Sequence, residues 1–188
     1  VYVSSRKADQ CNATAERLSS TYGAEVISLP ANLSGLEGVE SLVGELSKRE
    51  QHLDFLVNNA ANDDRRGPME IDEAYWDWSM DVNLKHQFFL AQKVLPHMKE
   101  LGGGSIINIS STGGRQGAPN HGAYCATKWA VLGLTQQLAW ELARYGIRVN
   151  CICPGDADTP MMAQLIAVTV RMFSTPGLRP LQGLGLLR

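Results

Sequence analysis

Three short runs, residues 53–58, 106–109 and 147–152, are almost continuously apolar, and each is flanked by longer stretches with helical spacing. A strand that is apolar on both faces has to be covered on both faces. Strands of this kind joined through helices form a parallel sheet with helices packed above and below. The same alternation extends toward the start of the chain. Residues 1–4 are short and β-prone, and residues 6–20 have helical spacing through Cys11, Ala15 and Leu18 before Tyr22-Gly23 closes the segment. Residues 25–29 follow as a strand and 36–49 as a helix, then a long amphipathic pattern over 76–101 ends at Gly102-Gly103-Gly104, and a helix over 124–145 stops at Gly146. The expectation is an α/β fold with a doubly wound parallel sheet. Beyond residue 162 the pattern fades, and 163–188 is left as an unassigned tail.

Composition narrows the function. A chain of 188 residues with 44% hydrophobic content has room for one domain with a substantial core. The formal charge of -2, with both signs interspersed, offers no basic surface for nucleic acid. No apolar run approaches the roughly 20 residues needed to cross a bilayer. The four cysteines show no ligand spacing with histidine, so no metal site is expected and the thiols are read as free, in a cytoplasmic protein.

The chemistry is concentrated in Asn83, Ser111, Tyr124 and Lys128. Four residues apart on a helix, Tyr124 and Lys128 share a face one turn apart. A cation about 4 Å from a phenol, at an effective dielectric of roughly 20, contributes on the order of 4 kcal/mol, or about three pH units off an ordinary tyrosine value near ~10. Tyr124 is therefore expected to exchange a proton near neutral pH. Ser111 falls at the carboxyl end of a predicted strand, where open α/β sheets place their ligands, and its hydroxyl either holds a substrate oxygen or caps a turn. His121 is expected to be an exposed loop residue, with a place at the substrate entrance as the alternative. A serine hydrolase is disfavoured because no Gly-x-Ser-x-Gly elbow is present.

Taken in order, the motifs resemble those of the short-chain dehydrogenase/reductases. Asn58-Asn59-Ala60-Ala61 is similar to the family's Asn-Asn-Ala-Gly strand end, Val82-Asn83-Leu84 to its asparagine-bearing helix, and Ile107 to Ser111 to its serine strand. Tyr124 to Lys128 matches its signature helix, with Arg148-Val149-Asn150, Pro154-Gly155 and Thr159 beyond. The resemblance covers residues 1–162, which it implies form an incomplete Rossmann-like domain. The family's first strand with its glycine-rich turn, and its C-terminal strand, have no counterpart in this sequence.

By that resemblance Tyr124 is the general acid or base, Ser111 holds the carbonyl oxygen, and Lys128 lowers the tyrosine pKa and binds the nicotinamide ribose. Asn83 positions a water in the proton relay. The resemblance further implies that Asn58 lines the adenosine side of the cofactor groove, and Pro154, Gly155 and Thr159 the nicotinamide side. Asn32 stands where the family commonly has an adenine-contacting Asp. Arg6 occupies the end of the first visible strand, where an acid would select NAD, so NADP is expected over NAD. The implied reaction interconverts a ketone and a secondary alcohol. The implied partners are a small carbonyl or alcohol substrate and, in a complete form, further copies in a homodimer or homotetramer. A catalytically inactive, oligomerising interaction protein is the alternative, with Trp129, Leu132, Leu138 and Leu142 as candidate face residues, although core packing alone explains most of them. Ala61, where the family has Gly, would cost little unless its backbone requires positive φ.

Overall fold

A computed structural model of the protein describes residues 1–155. Thr159, the expected domain boundary at 162 and the tail 163–188 lie outside the described residues. The element order is β1 (Tyr2–Val3), α1 (Ala8–Tyr22), β2 (Ile27–Ser28), α2 (Leu36–Ser47), β3 (Phe55–Asn58), α3 (Glu73–Met80), α4 (His86–Leu101), β4 (Gly104–Ile109), α5 (Gly122–Leu142) and β5 (Ile147–Ile152). All pairings between strands are parallel, as expected from the apolar runs. They form two sheets among the described residues: β1 pairs with β2, and β3, β4 and β5 follow one another in the other sheet. On β3, Phe55 and Val57 are exposed, whereas Asn58 is buried.

The expected helix over 76–101 is two α-helices. Asp72 starts α3 earlier, its carboxylate accepting a hydrogen bond from the Tyr75 N–H at 2.8 Å, the usual work of an N-cap side chain. Between α3 and α4 the backbone widens into a π-helical turn over Asp81–Lys85, which carries Asn83. Hydrophobic spacing cannot reveal such a turn, because one extra residue barely disturbs the apolar face. At the far end Gly102 adopts φ 80°, and the Gly103 N–H donates to the Met98 carbonyl at 3.0 Å, stopping α4.

The core lies between the helices and the three-stranded sheet. Val39 and Val43 of α2, Ala91, Val94 and Met98 of α4, Ile106 of β4, Leu138 and Leu142 of α5, and Ile147 and Val149 of β5 form one buried cluster. Of the candidate face residues, Leu138 and Leu142 are core residues, the packing already expected for most of that set, because α5 turns them onto β5. A polar layer crosses the same region. The Asn58 amide donates to Asn108 Oδ1 at 2.9 Å, and the Asn108 amide donates to Thr135 Oγ1 at 2.9 Å. Asn58 and Asn108 are register partners on β3 and β4, so this layer fixes the alignment of the strands as well as their spacing.

The turns entering β4 and β5 touch backbone to backbone. Gly146 has φ 70°, and a Cβ built there would stand 2.8 Å from the Gly102 carbonyl oxygen. Gly146→Ala combines a left-handed backbone with a backbone clash and should cost about 2 kcal/mol or more. Gly133, inside α5, has nothing within 4 Å of its Cβ position. Gly133→Ala should add up to about 1 kcal/mol through helix propensity. Chemical denaturation of the two variants should move in opposite directions; equal midpoints would contradict the packing described for Gly146.

Candidate active site

β4 delivers its last residues to the start of a tight turn. After Ile109 the chain passes Ser110 and Ser111 into a 3-10 turn over Thr112–Gly114, and Ser111 Oγ accepts from the Gly113 N–H at 3.1 Å. The turn is pinned to the end of β5: the Ser110 N–H donates to the Ile152 carbonyl at 2.8 Å and the Thr112 N–H to the Pro154 carbonyl at 2.9 Å. It is pinned to α5 as well, since the Ser110 hydroxyl donates to the Lys128 carbonyl at 2.8 Å. Gly114 makes that approach possible; a Cβ there would lie 2.6 Å from the Lys128 carbonyl oxygen.

Lys128 is 1% exposed, and its ammonium donates to the Ile109 carbonyl at 2.9 Å. The same nitrogen stands 5.5 Å from the centre of the Tyr124 ring. Ser111, Tyr124 and Lys128 are thus gathered at the carboxyl end of β4. Burial pushes the Lys128 ammonium down to about 8. Burial also pushes the Tyr124 phenol above its ordinary value, opposed by a hydrogen bond with Ser111.

This corrects the expectation of a phenol brought toward neutral pH by its lysine. Desolvation is the largest influence on the phenol, and the Lys128 ammonium, 5.5 Å from the ring centre, is engaged by the Ile109 carbonyl.

Asn83 lies buried on the π turn, which packs against α5. Its side-chain oxygen accepts from the Asn62 N–H at 2.8 Å, and its backbone carbonyl accepts from the Gln87 amide at 2.9 Å. Asn58, at the end of β3, is 2% exposed and turned into the polar layer. It bounds the region from within rather than presenting its amide at a surface. Pro154 contributes the carbonyl that holds the Thr112 turn.

Arg6 and Asn32 occupy neighbouring positions past the carboxyl ends of β1 and β2. The Ala31 N–H donates to the Ser5 carbonyl at 3.1 Å and brings the two segments together. Arg6 is exposed, while Asn32 Oδ1 accepts from the Ser34 N–H and hydroxyl at 3.3 and 3.0 Å, an Asx-type turn. Ala61 has no positive φ, so its side chain carries no backbone strain.

The structure adds residues that motif spacing missed. His121 is 7% exposed, not an exposed loop residue, because its imidazole pairs with Asp63. Nε2 stands 3.0 Å from Asp63 Oδ1 and 3.2 Å from Oδ2, with hydrogen-bond angles favouring Oδ2. The His121 and Tyr124 ring centres are 5.5 Å apart. Arg65 Nε lies 4.0 Å from Asp63, and burial lowers the affinity of its guanidinium for a proton. The signal was present in Asn62-Asp63-Asp64-Arg65-Arg66, a charged run directly after a buried strand.

A model of the family described as short chain dehydrogenase matches residues 1–168. The chain is 39% identical over 158 residues to a probable galactose dehydrogenase, GalD, of Rhizobium meliloti, covering 84% of this chain and 62% of the relative. It is 39% identical over 128 residues to a D-xylose 1-dehydrogenase of Caulobacter vibrioides, covering 68% of this chain and 50% of the relative. The solved structure of an actinorhodin polyketide ketoreductase with NADPH superposes with a TM-score of 0.87 at 33% identity, over 93% of this chain and 67% of that one. The chain therefore spans between half and two thirds of the length of these curated relatives. It belongs to the short-chain dehydrogenase family, and its parallel α/β architecture is the Rossmann-like fold of its structural neighbours.

Burial of the Lys128 ammonium works against folding. Below about 8 the folded and unfolded chains both carry its proton, and the full cost of burying the charge is felt. Between about 8 and the ordinary 10.5, the folded chain releases a proton that the unfolded chain keeps, so the cost fades as pH rises. The depression corresponds to on the order of 3 kcal/mol, offset by about 1 kcal/mol for the bond to Ile109. Lys128→Met should therefore raise the urea midpoint at neutral pH, by the equivalent of about 1 to 2 kcal/mol, and the gain should shrink toward pH ~10. A variant no more stable than the parent at neutral pH would show that the ammonium stabilises the fold.

Proposed function

We propose that this member of the short-chain dehydrogenase family interconverts a ketone and a secondary alcohol with NADP, using Tyr124 as general acid in reduction and general base in oxidation. The convergence of Ser111, Tyr124 and Lys128 at the carboxyl end of β4 carries this reading. Ser111 holds the substrate oxygen, so that the phenol proton of Tyr124 has one acceptor within reach. As charge develops on that oxygen, Tyr124 transfers its proton to it; in the reverse direction the phenolate takes the hydroxyl proton. The Lys128 ammonium, fixed from below by the Ile109 carbonyl, stabilises the phenolate form. Asn83, buried on the π turn, would position a water in the proton relay.

The residues fit a nicotinamide dinucleotide. Lys128 and Arg6 are cations at the carboxyl ends of parallel strands, where such cofactors bind. When bound, the nicotinamide would supply the hydride. Lys128 would hold its ribose, and Pro154, Gly155 and Thr159 would border the nicotinamide. Asn58 would bound the adenosine side, with Asn32 near the adenine. Arg6, exposed and without an acid beside it in sequence, supports pairing with a 2′-phosphate and hence NADP over NAD. The ketoreductase and a gluconate 5-dehydrogenase of Burkholderia cenocepacia were solved with NADPH and NADP respectively, which supports the same preference.

The domain is proposed to extend over 1–162, with 163–188 as a separate tail, in a cytoplasmic protein whose thiols stay free. Among the described residues no helix is long and apolar enough to cross a membrane. Exposed Trp129 and Trp140 on α5 support self-association into a homodimer or homotetramer.

Activity is read by NADPH absorbance against a panel of cyclic ketones and aldoses, the latter chosen because two relatives carry sugar dehydrogenase names. Tyr124→Phe should lower kcat by about a thousandfold while leaving the KM for NADPH within a factor of about two. A Tyr124→Phe protein that keeps the parent rate would overturn the assignment. Arg6→Ala should raise the KM for NADP by about tenfold or more and leave that for NAD nearly unchanged. Equal effects on both cofactors would place the 2′-phosphate elsewhere. A stable oligomer by light scattering, inert toward the whole panel, would favour the non-catalytic interaction protein instead.

A further inference from the structure

The segment after β3 is stitched to the loop that starts α5. The Arg66 N–H donates to the Asn120 carbonyl at 3.0 Å, and Arg66 and His121 form a parallel bridge. Inside that seam lie Asp63 and His121, with side chains only 7% and 8% exposed, and Arg65 at 22%. A carboxylate with so little access to water keeps its reach, since bulk solvent does not screen it. His121 in turn neighbours Tyr124, with ring centres 5.5 Å apart.

Among the described residues, the groups facing the phenol can be named element by element. Ser111 comes from the turn after β4, Cys125 and Lys128 from α5, His121 from the start of α5, and Asp63 and Arg65 from the segment after β3. Asp63 and Arg65 carry opposite charge. We propose that they form an opposed pair, clamped by His121, that governs when Tyr124 gives up its proton. Both are positioning residues, acting through Tyr124 rather than touching the reacting atoms.

The arrangement fits the chemistry. The Asp63 carboxylate favours the protonated phenol and so the acid needed for reduction, whereas the Arg65 guanidinium favours the phenolate needed for oxidation. His121 is the nearer partner of the carboxylate at 3.0 Å, and the Arg65 guanidinium lies 4.0 Å from it. Asp63 also acts on the Lys128 ammonium, so one buried charge bears on both members of the Tyr-Lys pair.

The inference rests on Tyr124 being the acid/base group, and the experiment separates the two. The rate of alcohol oxidation with NADP is followed against pH for the parent, Asp63→Asn, Arg65→Met and Tyr124→Phe. Oxidation needs the phenolate, so the rate rises with pH. Asp63→Asn should move the rising limb to lower pH by on the order of one unit, a tenfold faster rate at a fixed pH on that limb. Arg65→Met should move it to higher pH by a similar amount. Shifts of opposite sign are what an opposed pair produces and what a structural staple does not. Profiles that superimpose on the parent after scaling, or that shift the same way in both variants, overturn the proposal. Where near-UV circular dichroism shows one variant unfolded, the sign of the shift in the other decides. A Tyr124→Phe protein with the parent profile would instead sink the reductase assignment itself.

Discussion

Two hydrogen bonds between residues 109–110 and Lys128 hold the rest of the site in place. The Ser110 hydroxyl donates to the Lys128 carbonyl at 2.8 Å, and the Lys128 ammonium donates back to the Ile109 carbonyl at 2.9 Å. Backbone and side chain of one lysine are thus tied to consecutive residues at the end of β4. Tyr124, one helical turn earlier, and Ser111, one residue later than Ser110, inherit their relative placement from this tie. Gly114 sits where α5 crosses, with no room for a Cβ. The glycine belongs to the site although it has no chemistry of its own.

Beneath the tie, the interior is unusually polar. Asn58, Asn83, His86, Gln87, Asn108 and Thr135 are all buried. Much of this is satisfied, as the Asn58, Asn108 and Thr135 relay shows. His86 is not: neither imidazole nitrogen has a hydrogen-bond partner of good geometry, although the Asp81 and Val82 carbonyls lie near enough to favour its charged form. Burial wins and drives His86 down to about 4, so the ring is neutral near pH ~7. Buried polar groups that a stable core would avoid are concentrated around the π turn carrying Asn83, which is where local rules yield to function.

The sequence made most of the architecture legible because parallel strands covered on both faces have to be nearly all apolar. Strands β3, β4 and β5 and the helices between them fall close to where residues 53–58, 106–109 and 147–152 and the helical spacing put them. The π turn and the earlier start of α3 at Glu73 were hidden, because periodicity registers a face and not the hydrogen bonds behind it. At the site, Ser111, Tyr124 and Lys128 could be read from their spacing and order. The pairing of Asp63 with His121 could not. They are 58 residues apart, and their meeting depends on how two loops close over the sheet. The electrostatics were legible only in part: proximity of Tyr124 and Lys128 follows from helical spacing, but the depth of burial that reverses its effect on the phenol does not.

That reversal bears on what the site is set to do. Desolvation disfavours charge on both members of the pair, raising the phenol and lowering the ammonium. Near neutral pH the phenol therefore keeps its proton, which is the form that donates to a carbonyl oxygen. A phenolate would need either higher pH or an added positive field from the groups around it. In the proposed chemistry the protonated phenol is the form that reduction uses, and the phenolate is the form that oxidation uses.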